Sequence, residues 1–202
     1  MPKLLLATTN RGKINEYRSL LKGIPFELVT PMEEGVRISV EENYNSMVEN
    51  ATHKAMTFAD TSGLIALADD SGLEVDALGG EPGVRSARYA GDGASDSDRI
   101  DYLLDKMKNI PAEKRSASFK CVIAISVPWE KVETCSGECR GAINFEPRGN
   151  NGFGYDPVFF IPELNQTMAE LTLEVKNKIS HRARAVEKAY RILEQIAEKA
   201  IP

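Results

Sequence analysis

Residues 64–78 read Leu-Ile-Ala-Leu-Ala-Asp-Asp-Ser-Gly-Leu-Glu-Val-Asp-Ala-Leu, which is two apolar runs around four turn-forming residues. The apolar runs predict two β-strands, at residues 64–68 and 73–78, and the segment between them predicts a tight polar turn. Asp69 and Asp70 in this turn are hard oxygen donors of the kind that Mg²⁺ prefers when it also holds substrate phosphates. An Asp-Asp-Ser-Gly segment is also an ordinary turn composition, so the residues alone leave both interpretations open.

Strands and helices are predicted to alternate on both sides of this segment. Periodic apolar residues indicate four helices, near residues 14–21, 46–59, 100–107 and 186–200. Apolar runs indicate further strands, at residues 3–8, 116–127, 131–145 and 158–161. The two longest of these strands are expected to pair antiparallel across a short turn, and residues 79–97, rich in Gly, Ser and Asp, are the longest predicted loop. The pattern predicts an α/β fold around a mixed sheet.

Composition limits the class of protein. The chain has 202 residues, of which 42% are apolar and 27% charged, so we expect one globular domain over residues 1–202. The formal net charge of -5 gives no long-range attraction to nucleic acid or to anionic lipid, so neither is an expected partner. Residues 4–7 are too short an apolar run for a signal peptide and no later run has the length of a membrane span, so a cytoplasmic location is expected. Cys121, Cys135 and Cys139 match no common zinc-binding spacing and are expected to be free thiols.

The segment Thr8-Thr9-Asn10-Arg11-Gly12-Lys13 lies between the first predicted strand and the first predicted helix. Backbone N–H groups and the positive end of a helix dipole favour a phosphate at such a position, and Lys13 adds a full positive charge. The segment is not a P-loop, because Ala7 stands where the first glycine belongs and Ile14 follows the lysine. A solvated turn with a surface lysine is the alternative interpretation.

Two segments nearer the C-terminus are candidates for binding a purine base. In Gly152-Phe153-Gly154-Tyr155-Asp156, two glycines around Phe153 leave one face of the ring open for stacking, although a hairpin loop with a core aromatic gives the same pattern. Lys176 and the Ser180-His181-Arg182 segment supply donors for phosphate oxygens or for a keto oxygen of a base. For His181, an exposed position at a helix cap is the alternative.

Taken together, these segments resemble the signature of the inosine triphosphate pyrophosphatase family, also called the Ham1-like or RdgB-like noncanonical purine NTP pyrophosphatases. The resemblance covers nearly the whole chain, in the family's order. It is carried by residues 7–13 (Ala-Thr-Thr-Asn-Arg-Gly-Lys) with Glu16, 49–51 (Glu-Asn-Ala) with 54–55 (Lys-Ala), 68–73 (Ala-Asp-Asp-Ser-Gly-Leu), 82–89 (Pro-Gly-Val-Arg-Ser-Ala-Arg-Tyr), 152–157 (Gly-Phe-Gly-Tyr-Asp-Pro), 168–171 (Met-Ala-Glu-Leu), 176–177 (Lys-Asn) and 180–182 (Ser-His-Arg). Each segment alone is weak evidence, whereas all of them together in one chain are specific.

The resemblance implies a fold, an activity and an assembly. The fold is an α/β fold with a long mixed sheet flanked by helices and two lobes around a central nucleotide-binding cleft. The activity is the hydrolysis of ITP, dITP and XTP to the monophosphate and pyrophosphate, with Mg²⁺ as cofactor, which clears these nucleotides from the pool. The assembly is a homodimer.

The resemblance also implies roles for individual residues. The resemblance puts Mg²⁺ on Asp70 with Glu42 nearby and makes Asp70 the proton acceptor, and Lys13 would stabilise charge on the leaving group. Asp69, the other acid of the pair, is a further candidate metal ligand. A carboxylate bound to Mg²⁺ is a weaker base, so Asp69 or Glu42 is the alternative for one of the two jobs of Asp70. The implied substrate-binding residues are Thr8, Thr9, Asn10, Arg11, Gly12, Lys13, Lys54, Ser71, Phe153, Gly154, Tyr155, Asp156, Lys176, His181 and Arg182. Family members commonly carry Gly and Phe after the metal glutamate, where this chain has Tyr44 and Met47. That departure leaves Glu41 as an alternative to Glu42.

Two other functions compete with this one. A Maf-like nucleotide pyrophosphatase would act on other nucleotides, but the Ser-His-Arg and Phe-Gly-Tyr-Asp segments argue against it. A nucleotide-binding regulator without catalysis would have lost its acids and Lys13, which are intact. Donors from Lys176, His181 or Arg182 that point at a 6-keto oxygen would meet the 6-amino group of adenine unfavourably, so ATP is expected to be a poor substrate.

Overall fold

The computed structural model describes residues 1–200, the last of them by its backbone alone, so the end of the predicted domain at residues 201–202 lies outside the described residues. Five α-helices and seven β-strands form within this range. They are β1 (Lys3–Leu6), α1 (Arg11–Leu20), β2 (Glu27–Val29), α2 (Met47–Ser62), β3 (Ile65–Val75), α3 (Asp96–Lys106), β4 (Ser116–Ser126), β5 (Glu133–Ile143), β6 (Phe159–Ile161), β7 (Gln166–Thr167), α4 (Leu173–Ile179) and α5 (His181–Ala200). None of the helices within residues 1–200 combines the length and the apolar character that a membrane span needs.

The seven strands form one sheet in the order β2-β1-β3-β4-β5-β6-β7. Strand β1 pairs parallel with both β2 and β3, whereas β6 pairs antiparallel with both β5 and β7. The connection between β4 and β5 spans only residues 127–132, too short for a parallel crossover, so this pair is antiparallel as well. The predicted α/β fold with a mixed sheet is confirmed.

Strand β3 corrects one sequence prediction. Residues 65–75 form a single continuous strand, so the predicted turn at residues 69–72, with separate strands on either side, is wrong. Turn-forming composition is a local preference, and tertiary contacts override it here. Asp69 and Asp70 lie buried in the middle of the strand, and partners from distant parts of the chain satisfy them.

The described residues divide into two compact units, and the first contains residues 1–70, 121–137 and 182–200. Its core joins helices α1 and α5 to one face of strands β1, β3 and β4. Buried members of this core are Leu4, Leu6, Tyr17, Leu21, Leu67, Cys121, Ile123, Val186, Ala189 and Leu193. Because side chains alternate along a strand, Leu5, Ala66 and Ala68 point to the opposite face, where they are also buried.

The second unit contains residues 71–120 and 138–181 and has its own core. Helix α3 contributes Ile100 and Leu103 to it, and Met107 follows as the C-cap; these residues pack with Phe119, Ile143, Tyr155, Val158 and Phe159. The predicted loop 79–97 is shorter than expected, because α3 already begins at Asp96 and residues 83–88 form a 3-10 turn. A capping box of Ser95 and Asp98 fixes the first turn of α3, a signal that apolar periodicity alone does not contain.

Candidate functional site

The predicted phosphate segment forms the loop from β1 into α1. The backbone N–H of Ala7 donates to the carbonyl of Leu67 at 2.8 Å, which ties the start of the loop to β3. Asn10 is the N-cap of α1, and its side-chain oxygen accepts from the backbone N–H of Lys13 at 3.1 Å. The helix N-terminus and the exposed residues Thr9 to Arg11 thus form a site of positive potential suited to a phosphate.

Lys13 is partly buried and contacts a group of three buried charged side chains; we call the four residues Lys13, Glu16, Asp69 and Arg182 the ionic network. Asp69 accepts from Lys13 Nζ at 2.9 Å through Oδ1 and from Arg182 Nη2 at 3.1 Å through Oδ2. Arg182 Nη1 donates to Glu16 Oε2 at 2.5 Å. Two cations and two carboxylates balance, which is what allows these charges to be buried.

The two carboxylates of the strand centre have opposite pKa shifts. Burial alone would raise the pKa of Asp69, but the charges of Lys13 and Arg182 outweigh burial and hold that pKa well below its usual range. Burial raises the pKa of Asp70, and the negative charge of Glu42 adds to this effect. The two carboxylates also differ in their hydrogen-bond donors. Asp69 accepts from the cations Lys13 and Arg182, whereas Asp70 accepts from an amide, Asn50 Nδ2, at 2.9 Å.

Glu42 and Lys54 form an ion pair near Asp70. Burial alone would lower the pKa of Lys54, but the negative charges of Asp69, Glu42 and Asp70 outweigh burial and raise it. Among residues 1–200, no three His, Cys, Asp or Glu side chains are grouped closely enough to hold a metal ion. The donor chemistry of Asp70 and Glu42 nevertheless fits Mg²⁺, because both are carboxylates and their mutual repulsion favours a cation beside them. Both oxygens of Asp69 already accept from cations, and its assignment as a metal ligand stays a prediction.

The predicted base-binding residues lie in the second unit, on the loop before β6 and on α4. Asp156 Oδ2 accepts from the backbone N–H of Phe153 at 2.9 Å and from Lys176 Nζ at 2.5 Å. Lys176 Nζ lies 5.0 Å from the centre of the Phe153 ring. Asp156 and Lys176 are only 2% and 4% exposed, so this ion pair fixes the loop from its buried side. The sequence prediction that these three residues lie together is in keeping with this geometry.

Gly152 is required by the close packing of this loop. Its φ is +76°, and a Cβ added there would lie 2.0 Å from Asp156 Oδ2. Tyr155, predicted as a substrate contact, has its ring in the core, where its hydroxyl donates to the carbonyl of Ser86 at 2.9 Å. Because the Tyr155 side chain is held in the core, the backbone is the part of this residue that can contact a ligand.

His181 and Arg182 are adjacent in sequence but belong to different surroundings. The imidazole of His181 is 4% exposed and stacks on Phe119, with 4.7 Å between ring centres and 18° between planes. The alternative of an exposed helix-cap histidine is thus wrong. Arg182 is part of the ionic network, so its predicted contact with the base stays untested, and Ser71 is half-buried directly after Asp70 in β3.

Three residues of these sites were assigned no role in the sequence prediction. Glu16 lies three residues after Lys13 on α1, a spacing that places both on one helix face and is a usable signal. Asn50 lies four residues before Lys54 on the buried face of α2, where a polar residue indicates a specific partner. Phe119 is an ordinary core residue of β4, and nothing local in the sequence distinguishes it.

Comparison with known proteins gives consistent matches along the chain. The Ham1 family matches residues 4–192. A dITP/XTP pyrophosphatase of Geobacter sulfurreducens is 50% identical over 186 residues, which cover 92% of this chain and 94% of that protein. A dITP/XTP pyrophosphatase of Desulforamulus reducens is 47% identical over 194 residues, which cover 96% of each.

Solved structures give the same result. A HAM1 protein from Coxiella burnetii superposes with a TM-score of 0.87 at 42% identity, covering 96% of this chain and 100% of that one. A dITP/XTP pyrophosphatase from Mycobacterium abscessus superposes with a TM-score of 0.74 at 38% identity, covering 93% and 98%.

Proposed function

This chain belongs to the Ham1 family, and we propose that it hydrolyses the noncanonical purine nucleotides ITP, dITP and XTP to the monophosphate and pyrophosphate, clearing them from the nucleotide pool. The observation that carries the proposal is its identity of 43–50%, along nearly the whole chain, with proteins named dITP/XTP pyrophosphatase. The ionic network and the base-binding residues give that activity a physical basis.

The triphosphate is assigned to the first unit. The N-terminus of α1 and the side chains of Thr8, Thr9, Asn10, Arg11 and Lys13 provide donors for its oxygens. Lys13 and Lys54 each form an ion pair with a carboxylate of the protein. That carboxylate balances the lysine charge when no substrate is bound, and the lysine can still bind a phosphate oxygen of the substrate. Lys13 would stabilise the charge that develops on the leaving pyrophosphate.

The cofactor is assigned to the carboxylates beside this site. Asp70 and Glu42 would hold Mg²⁺, which when bound neutralises phosphate charge and polarises the phosphorus for attack. Asp70 accepts the proton of the attacking water, whose oxygen bonds to the α-phosphorus while the bond from that phosphorus to the bridging oxygen of pyrophosphate breaks. Asn50 holds Asp70 Oδ2 and so orients the carboxylate for this step.

The purine is assigned to the second unit. Phe153 supplies a ring for stacking, and Lys176 and His181 supply donors for a 6-keto oxygen. These donors would face the 6-amino group of adenine without an acceptor, which disfavours ATP. Guanine also carries a 6-keto oxygen, so its rejection depends on the fit around its 2-amino group.

A homodimer and a cytoplasmic location belong to the same proposal, on the grounds of family resemblance and composition. Light scattering of the purified protein tests the first point, since the dimer has twice the 22.2 kDa mass of the chain. A monomer at micromolar concentration would remove the homodimer from the proposal without affecting the activity.

The activity is tested by incubating the protein with Mg²⁺ and ITP, dITP, XTP, ATP, GTP or dTTP, and by assaying pyrophosphate and phosphate separately. Pyrophosphate from the first three substrates, lost in Asp70→Asn and on chelation of the metal, is the expected result. Preferred turnover of dTTP or modified pyrimidine nucleotides would favour a Maf-like enzyme. Nucleotide binding without any turnover would make the protein a regulator. Turnover that persists in excess chelator would remove Mg²⁺ from the proposal.

A further inference from the structure

The loop that carries Phe153 is held by a second group of contacts, in addition to the ion pair of Asp156 with Lys176. We call residues 152–156 the base-binding loop. The backbone N–H of Gly154 donates to Asp96 Oδ2 at 2.6 Å, and the hydroxyl of Tyr155 donates to the carbonyl of Ser86 at 2.9 Å. Both partners come from residues 79–97, a segment to which the proposed function assigns no role.

Asp96 stands on a rigid support. It is the first residue of α3, whose N-terminus is fixed by the capping box of Ser95 and Asp98 and favours a negative side chain. Its other oxygen, Oδ1, is paired with Arg99, and Arg99 Nη1 also donates to the carbonyl of Ala87 at 2.6 Å. The Asp96 carboxylate is therefore held in one orientation by α3 and Arg99.

The second contact has a rigid support as well. Ser86 is buried, and its hydroxyl donates to the carbonyl of Gly83 at 2.6 Å and accepts from the backbone N–H of Leu73 at 2.9 Å. These bonds fix the Ser86 carbonyl that receives the Tyr155 hydroxyl. The loop is therefore held at two adjacent residues, Gly154 by Asp96 and Tyr155 by the carbonyl of Ser86.

We propose that Asp96, oriented by Arg99, is a positioning residue of the reaction, which fixes the base-binding loop so that Phe153 presents its ring to the purine in one orientation. This inference rests on the proposed function, because the purine that Phe153 would bind is the base of the proposed substrate. Hydrogen bonds from a backbone N–H to a carboxylate are shorter and stronger than neutral ones, so the contact at Gly154 restrains the loop more strongly than the neutral hydrogen bond from Tyr155 to Ser86.

The expected effect is on substrate binding. The purine is remote from the phosphorus that reacts, so a loosened loop weakens binding of ground state and transition state alike. Asp96→Ala is expected to raise KM for ITP and XTP about tenfold, with kcat within about twofold of the parent protein. Asp96→Asn keeps a side-chain oxygen as acceptor and is expected to raise KM only about threefold.

Asp101→Ala is the matched control, because it removes an exposed carboxylate from the same helix and leaves the capping box and the hydrogen bond from Gly154 to Asp96 in place. Its KM should remain at the parent value. Amide hydrogen exchange by NMR gives a readout that does not depend on turnover: exchange at Gly154 should rise about tenfold in Asp96→Ala and stay unchanged in Asp101→Ala.

The outcomes separate this inference from the proposed function. Faster exchange at Gly154 and a raised KM in Asp96→Ala alone support the positioning role. An equal rise of KM in Asp96→Ala and Asp101→Ala, or unchanged exchange at Gly154 in Asp96→Ala, overturns it, because the effect on KM would then not come from the hydrogen bond between Gly154 and Asp96. If the parent protein turns over no purine triphosphate, the proposed function fails and the positioning role fails with it, whereas the exchange data still report whether Asp96 restrains Gly154.

Discussion

The ionic network of the first unit and the base-binding loop of the second are held together in different ways. In the network, Arg182 contacts Glu16 and Asp69 across 166 and 113 residues of sequence. In the loop, Asp156 contacts Phe153 across three residues and Lys176 across twenty. The network therefore exists only when the first unit has folded, whereas much of the loop geometry is encoded locally.

This difference separates two kinds of functional residue. Charges in the network stabilise the fold and would also orient the phosphate groups, so substitutions there are expected to affect stability and turnover together. The loop would bind the part of the substrate that does not react, so substitutions there are expected to affect KM first. Asp70 lies next to the network in β3 but outside its ion pairs, which makes it the sharpest place to test the distinction.

The largest effect is expected from the two adjacent aspartates, substituted one at a time. Asp70→Asn should lower kcat at least about a thousandfold, because the proton acceptor is lost. The free energy of unfolding should stay the same or rise: the folded-state pKa of Asp70 is raised, so its charged form destabilises the fold at neutral pH, and a neutral amide removes that penalty.

Asp69→Asn should show the opposite stability change. It removes the carboxylate that pairs with Lys13 and Arg182, and loss of one partner in a buried ion pair costs about 3–5 kcal/mol. Chemical denaturation of both variants at pH 7 measures the contrast. Equal stability losses would mean that the two carboxylates are not distinguished in the way their contacts indicate.

The difference between local and distant contacts also explains which elements could be predicted from the sequence. The strand, loop and helix at residues 3–21, helix α2 and the hairpin strands β4 and β5 depend on local spacing, and all were predicted close to their observed bounds. The short elements β2, β7 and α4 were missed, because two to seven residues contain too little periodicity.

The centre of β3 was predicted wrongly because distant contacts, and not local preference, determine its conformation. Asp69, Asp70, Ser71 and Gly72 have strong turn preferences, and the contacts that hold the two aspartates in a strand come from other elements, up to 113 residues away in sequence. The site residues follow the same rule. Phe153, Asp156 and Lys176 were assigned to one site by the family resemblance alone, while the pairing of Arg182 with Glu16 follows from the tertiary fold and was not predicted.

A smaller effect is expected from removal of the ring in the base-binding loop. Phe153→Ala should raise KM for ITP about thirtyfold, since stacking on an aromatic side chain contributes about 1–3 kcal/mol per base, and kcat should change by less than about twofold. Phe145→Ala is the matched control, because this phenylalanine of the same unit is exposed and stacks on Arg115. A loss of kcat rather than a rise of KM would place Phe153 with the reacting groups and break the distinction between the two regions.

The smallest effect concerns the backbone of the same loop. Gly152 and Gly93 have almost the same φ, +76° and +77°, but a Cβ at Gly152 would lie 2.0 Å from Asp156 Oδ2, whereas a Cβ at Gly93 would meet nothing within 4 Å. Gly93→Ala should lower the free energy of unfolding by about 1–2 kcal/mol, the cost of a left-handed backbone for alanine, and leave KM unchanged. Gly152→Ala should cost a further ~1–3 kcal/mol from overpacking and raise KM about tenfold, because Asp156 must move away from Lys176 and Phe153.

Since the backbone penalty is the same in both variants, the difference between them isolates the contact with Asp156. If Gly93→Ala raised KM as much as Gly152→Ala, the loop would owe its function to backbone conformation alone, and the ion pair of Asp156 with Lys176 would not be what fixes it.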